Sequence, residues 1–196
     1  MTPERATKIN KVLENRQNDL TVIIENVTDP HNIAAVMRTC DAVGISEIFV
    51  LNTKINNHKR FGTRSSSSAQ KWMHTHQFTD MQECLSVVRK KYNRIYATHL
   101  GEESKSIYEM NFIEPIALVF GNEKRGVSDE IRALCDGNFI IPQVGMISSL
   151  NISVACAVTI YEAFRQKDVQ NHYEKRKLTP SEKDSLFDYW DIKENI

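Results

Sequence analysis

The chain has 196 residues, of which 41% are hydrophobic and 26% charged; this suits one globular domain and excludes a collagen-like, mucin-like or wholly disordered chain. Lys plus Arg equal Asp plus Glu at 25 each, so net charge selects no partner and only the placement of the charges can. Cys40, Cys84, Cys135 and Cys156 are scattered without a CxxC pair and read as buried thiols of a reducing compartment. The opening residues carry no apolar signal core, and no window approaches the roughly 18 apolar residues of a membrane helix. A cytoplasmic soluble protein is expected.

Residues 4–17 carry a polar helical pattern with Ile9, Val12 and Leu13 as a narrow apolar stripe. Residues 20–27, LTVIIENV, are rich in β-branched side chains and predict a buried strand. TDPHN then turns the chain, and 32–44 predict a helix capped by Asn32 and stopped by Gly44. A second strand is expected over 47–51, followed by a polar loop over 52–71 that is too long for a simple connector. Further on, helical spacing covers 81–92, strands cover 94–100 and 115–121, and a helix begins near Ser128. A strand over 138–142 precedes the longest helix, 150–167. Such alternation predicts an α/β fold with a mostly parallel sheet. The segment from Asn171 is charged but holds Leu186, Phe187, Tyr189 and Trp190, and is expected to dock as a short helix on an apolar surface. The expected organisation is an N-terminal basic helical extension (1–19), a central α/β domain (20–167) and a C-terminal helical extension (168–196).

The first strand lacks GxGxxG, and in GNEKRGVS a valine, Val127, stands where a P-loop needs its lysine. Gly121 and Gly126, with Glu123 between them, follow an apolar strand; a ligand-approaching turn at the strand's C-terminal end fits them better than a bare connector. His74 and His76 lack a third ligand at metal spacing and read as ordinary side chains. Arg38 sits between apolar pairs on its helix. Either it pairs with Asp41 or Glu25, or it reaches into a polar cleft to hold phosphate or carboxylate. Ser149 or Asn151 caps the long helix or faces a ligand with its backbone N–H groups. Local charge is more telling than the total: Arg5, Lys8, Lys11 and Arg16 on the first helix, Lys59, Arg60 and Arg64 in the long loop, and Arg165 near the end of the long helix. Each cluster alone reads as a solvated face, but together they suit a phosphate backbone.

ENVTDPHNIAAVMRTCDAVG, VFGNEKRGVS and IPQVGMISSLNISVACAVTIYEAFRQ, in that order, resemble the three signature motifs of the SPOUT superfamily of RNA methyltransferases. Within it they look most like the TrmH-type tRNA guanosine-2′-O-methyltransferases, and the match covers residues 5–177. The resemblance implies a deep C-terminal trefoil knot, a homodimer, a metal-free reaction with S-adenosylmethionine, and tRNA as partner, methylated on the 2′-OH of a D-loop guanosine at the eighteenth position. It places Thr98, Leu100, Gly121, Ile141, Met146, Ser149 and Leu150 around the cofactor. Arg38, Asn32, Glu123, Ser149 and Asn151 fall on catalytic and site-forming positions. In that scheme Arg38 lies near the target hydroxyl and its phosphate, Asn32 positions Arg38, and Glu123 with Asn151 fixes the surrounding loops. Related enzymes acting on ribosomal RNA or on the tRNA wobble nucleotide, and a non-catalytic RNA-binding module, are the alternatives.

Overall fold

The computed structural model describes residues 2–58, 61, 69–101, 103–175 and 178–191. Lys59, Arg60 and Arg64, expected to contact RNA, lie outside the described residues. Seven strands form one sheet: β1 (Leu20–Glu25), β2 (Glu47–Leu51), β3 (His74–Phe78), β4 (Arg94–Thr98), β5 (Lys105–Ser106), β6 (Ile116–Phe120) and β7 (Gly137–Ile140). Their order is β3-β2-β1-β6-β4-β7-β5, and every pairing is parallel. The expected mostly parallel α/β sheet is thus what forms.

The helices are α1 (Pro3–Glu14), α2 (Pro30–Ala42), α3 (Met81–Arg89), α4 (Asp129–Arg132), α5 (Ile152–Val169), α6 (His172–Lys175) and α7 (Pro180–Tyr189). The strand period of two splits the apolar side chains between two cores. Val22, Ile24, Leu118 and Phe120 meet Ile33, Met37, Cys156 and Ile160 of α2 and α5 on one face. Ile23, Phe49, Ala117 and Val119 meet Leu85 and Val88 of α3 and Ile131 of α4 on the other. A third, smaller cluster joins Ile9 and Leu13 of α1 to Leu178, Leu186 and Trp190, so the C-terminal segment docks as a helix on this chain's own α1. Thr179 and Glu182 close a reciprocal cap at the start of α7, with Pro180 in the first turn.

One local expectation needs correction. Asn32 does not cap α2: Asp29 does, accepting from the His31 N–H at 2.8 Å, and Pro30 opens the helix. That places Asn32 inside the first turn with its amide free for longer-range contacts. The polar, strand-like stretch that holds His74 and His76 is a strand, 74–78, a sheet edge paired only to β2. Strand β5 is two residues long, below any sequence periodicity.

Candidate active site

The site forms at the C-terminal ends of β4, β6 and β7, where ligands of parallel sheets bind. A cleft of about 470 Å³ is lined there by Thr98, Leu100, Gly121, Ile141, Ser149 and Leu150, among others. Six of the seven residues expected around the cofactor are therefore together. Met146 is not among the lining residues: residues 144–147 are exposed, and its side chain is fully so. The walls include apolar Phe120, Phe139 and Ile152.

The two glycines have a backbone reason. Asn122 and Gly126 exchange hydrogen bonds at 3.1 and 2.8 Å, closing a tight loop whose exposed tip is Glu123, Lys124 and Arg125. Gly126 holds a positive φ of 68°, which glycine adopts without penalty. A side chain on Gly121 would meet the Gly126 carbonyl carbon at 2.1 Å. The loop folds back so closely that no β-carbon fits, and backbone rather than side chain forms this part of the cleft wall.

Beside the cleft, three site residues from the three motifs join in one chain of hydrogen bonds. The Asn32 amide donates to Glu123 Oε1 at 2.7 Å, and the Asn151 amide donates to Asn32 Oδ1 at 3.2 Å. Asn151 Oδ1 in turn accepts from the Ser153 N–H at 2.9 Å and caps α5. Ser149, two residues before that cap, faces the cleft. Of the two readings its sequence position offered, Asn151 fulfils the cap, and its amide adds the bond to Asn32.

Arg38 resolves differently. Asp41 is taken by Arg16 at 2.6 Å. Glu25 is buried and accepts from the Ser128 N–H at 2.8 Å and from the Ser128 hydroxyl. Neither structural partner is available, and Arg38 is exposed with no ion pair or side-chain hydrogen bond among the described residues. It lies outside the cleft lining, further along α2.

Of the cationic residues expected to meet RNA, Arg5, Lys8 and Lys11 are exposed on α1. Arg165 is exposed but held bidentately by Glu162, both contacts at 2.8 Å. Arg16 must be removed from that set. Its side chain is 1% exposed, and its guanidinium donates to the Ile45 carbonyl and the Trp72 carbonyl, both at 2.9 Å, as well as to Asp41.

Sequence reading missed several cleft residues: His99, Lys124, Arg125, Asp129 and Arg132. Arg132 donates to the His99 ring at 2.8 Å and pairs with Asp129 at 2.7 Å. Burial, then the Arg132 charge, holds the His99 imidazole below its usual value. His99 directly follows β4, so the rule that ligands collect at strand C-termini was the signal available for it. His74 and His76 are engaged elsewhere, His74 against the Tyr189 ring and His76 with Glu47 at 3.0 Å. No group of three His, Cys, Asp or Glu suited to a metal occurs among the described residues, and no helix there is long and apolar enough to cross a membrane.

Residues 19–161 match the SpoU rRNA methylase family. The chain is 41% identical, over 91% of both sequences, to the tRNA (guanosine(18)-2′-O)-methyltransferase of Thermus thermophilus. The crystal structure of the TrmH/SpoU tRNA modifying enzyme of A. aeolicus superposes with a TM-score of 0.88 at 33% identity, covering 98% of each chain. The SpoU methyltransferase AviRb of Streptomyces viridochromogenes, solved in complex with AdoMet, superposes with a TM-score of 0.71 at 26% identity, covering 81% of this chain and 64% of its own. With 143 consecutive residues matched and the three motif segments meeting beside one cleft, this chain belongs to the SpoU methylase family.

Proposed function

We propose that the protein transfers the methyl group of S-adenosylmethionine to the 2′-OH of the D-loop guanosine at the eighteenth position of tRNA, acting in the cytoplasm. The observation that carries the reading is the Glu123–Asn32–Asn151 chain of hydrogen bonds, which draws three separated motif segments to the cleft. Similarity to an enzyme of that name over 91% of both sequences supports the choice of tRNA over ribosomal RNA.

The cleft suits the cofactor. Its volume falls in the range of small-molecule sites, its apolar walls would take an adenine, and the tight turn closed between Gly121 and Gly126 gives it a wall of backbone. Thr98, Leu100, Gly121, Ile141, Ser149 and Leu150 would hold it. When bound, S-adenosylmethionine supplies a methyl group already activated on a sulfonium, so no metal is required.

The protein's own residues then have to orient a weak nucleophile and let its proton leave. A guanidinium is permanently protonated and accepts no proton. Arg38, without an internal partner, is assigned to the phosphate beside the target ribose, whose oxygen takes the proton from the 2′-OH. Asn32 and Asn151 fix Glu123 at the loop tip, and Ser149 contacts the cofactor or the target nucleotide.

Two further parts of the reading concern architecture. Strands β4 and β5 flank β7 on opposite sides: Thr98 pairs with Phe139, His99 N–H donates to the Phe139 carbonyl at 3.0 Å, and Lys105 pairs with Phe139 from the far side. That crossing of the β7 end between two consecutive strands supports the trefoil knot. Val154, Val158 and Tyr161 leave an exposed apolar stripe on α5, and Val144, Met146 and Ile147 of the preceding loop are exposed as well. Covering it with a second copy makes a homodimer.

The test is incubation of purified protein with labelled S-adenosylmethionine and unmodified tRNA, followed by mapping of the label. Methyl on the eighteenth nucleotide is expected. Label only in ribosomal RNA or at the wobble nucleotide, or none in any RNA, overturns the assignment.

A further inference from the structure

The cleft holds one cluster of charged and titratable groups that the reaction scheme above leaves unused: His99, Asp129 and Arg132. His99 directly follows β4 and stands between Thr98 and Leu100, two of the residues assigned to the cofactor. Arg132 ends α4. Its Nη1 lies 2.8 Å from Nδ1 and 3.0 Å from Nε2 of the His99 ring, joining segments 33 residues apart. One turn back on α4, Asp129 pairs with Arg132 Nη2 at 2.7 Å and steadies the guanidinium.

The loop after β4 is built around that ring. The Ser104 hydroxyl donates to the His99 carbonyl at 2.8 Å, and the Ser104 N–H donates to the Gly101 carbonyl at 3.1 Å. Gly101 comes so near the imidazole that a β-carbon on it would stand 2.9 Å from Cδ2. On the sheet side, the His99 N–H donates to the Phe139 carbonyl of β7 at 3.0 Å. The remaining connection is the one to α4, and it depends on protonation. A neutral imidazole keeps one bare ring nitrogen that accepts from a guanidinium, whereas an imidazolium donates from both. The charged groups acting on the ring are Arg132 and Asp129 of α4. Burial and then the Arg132 charge hold the imidazole below its usual value, against the opposing pull of Asp129.

We propose that His99 is a positioning residue for the cofactor: as the neutral imidazole it accepts from Arg132 and ties the loop after β4 to α4, and its protonation releases that tie and weakens cofactor binding. Thr98 and Leu100 are then carried by a loop anchored on both sides, to β7 through backbone and to α4 through the ring. The inference rests on the assignment of this cleft to S-adenosylmethionine and deepens it, adding a residue that acts through Arg132 rather than on the reacting atoms.

The test is equilibrium binding of S-adenosylmethionine and of S-adenosylhomocysteine, which lacks the sulfonium charge, to the full chain between about pH 8 and about pH 5. The wild type, His99→Gln and His99→Ala are compared by calorimetry. For the wild type, Kd for both ligands is expected to hold near neutrality and to rise roughly threefold to tenfold at the acid end, since only the neutral fraction is competent. His99→Ala is expected to bind roughly fivefold more weakly at the alkaline end, having lost the acceptor. Glutamine keeps an acceptor and does not titrate, so His99→Gln should recover most of that loss and give a flat profile. An acid loss that persists in His99→Gln overturns the proposal. A loss confined to S-adenosylmethionine also overturns it, because repulsion between imidazolium and sulfonium would then suffice; both results leave the cofactor assignment standing. Failure of the wild type to bind either ligand at any pH overturns the assignment, and this inference with it.

Discussion

The two ends of the molecule each turn on an arginine, and the two arginines have opposite fates. At the α1–α7 end, Arg16 has 1% of its side chain exposed, bonds Asp41 and two backbone carbonyls, and lies 5.6 Å from the centre of the Trp190 ring. At the active-site end, Arg38 is exposed and without a partner among the described residues. Their sequence neighbourhoods point the other way: Arg16 stands among Glu14, Asn15, Gln17 and Asn18 and reads as solvated, whereas Arg38 stands among apolar helical residues and reads as paired or buried. The difference is supplied by distant chain: Arg16 meets groups 25, 29 and 56 residues away, whereas the carboxylates nearest Arg38 in sequence have already been claimed. A guanidinium whose donors are consumed internally holds the fold together. One left free is available to a substrate.

That contrast predicts opposite phenotypes. For Arg38→Ala we expect the largest effect of all, a fall in kcat of about 10²–10³ or more, the scale seen when one preorganised donor is removed from a reacting centre. Melting temperature should stay within about 2 °C of the wild type, as for other exposed substitutions, and affinity for S-adenosylmethionine should hold. Single-turnover assays, calorimetry and a cofactor titration measure the three quantities. Normal turnover in the variant would remove Arg38 from the reaction.

Arg16→Ala should do the reverse. It strands two carbonyls and a carboxylate, and breaking such a pair costs about 3 kcal/mol, reduced from the fully buried case because Asp41 is partly solvated. For a chain of this size that is a drop of roughly 6–12 °C in Tm. If Tm is unchanged, Arg16 is not the structural tie its contacts describe.

How much of this contrast was legible beforehand differs by element. Strands β1 and β6 announce themselves through unbroken apolar, β-branched runs, since both of their faces are covered. By contrast, β3 does not, because a polar edge strand needs only one neighbour and one partly covered face. The capping signal before α2 was present as Asp29-Pro30, and choosing Asn32 overlooked the proline that fits a helix's first turn. The family resemblance brought Asn32, Glu123 and Asn151 under suspicion together, but their hydrogen bonds span 91 and 119 residues, and no local pattern encodes such contacts. Arg132 gave no sign and His99 only its place after β4, for each acquires its meaning from the other.

The α1–α7 side holds another buried charge that sharpens the comparison through pH. Although burial opposes ionisation, His76, Lys91 and Tyr92 hold the Glu47 carboxyl at about 2, down from an ordinary 4.5. A depressed carboxyl stabilises the fold fully above its unfolded value, and the contribution fades as pH falls through 4.5 towards 2. The amount at stake is at most about 3 kcal/mol. Glu47→Gln should therefore flatten the loss of Tm between pH 5 and pH 2.5 relative to the wild type. Superimposable acid profiles would show that another carboxylate carries the effect.

Arg165 falls between the two extremes, and its effect should be the smallest. Its side chain is 64% exposed, yet Glu162 grips it bidentately three residues away on α5. Solvent screening limits such a pair to less than about 1 kcal/mol of stability. Meeting an RNA phosphate would require the guanidinium to share or leave Glu162, which offsets much of what the new contact contributes. Arg165→Ala should then weaken tRNA binding only about twofold to fivefold and lower the salt slope by less than one charge, with Tm almost unmoved. Glu162→Gln, which loosens the grip without removing the cation, should tighten tRNA binding instead. Were Arg165→Ala to weaken binding as severely as removal of an unpaired cation, the carboxylate would not restrain it, and internal pairing would no longer distinguish arginines that serve the fold from those that serve the substrate.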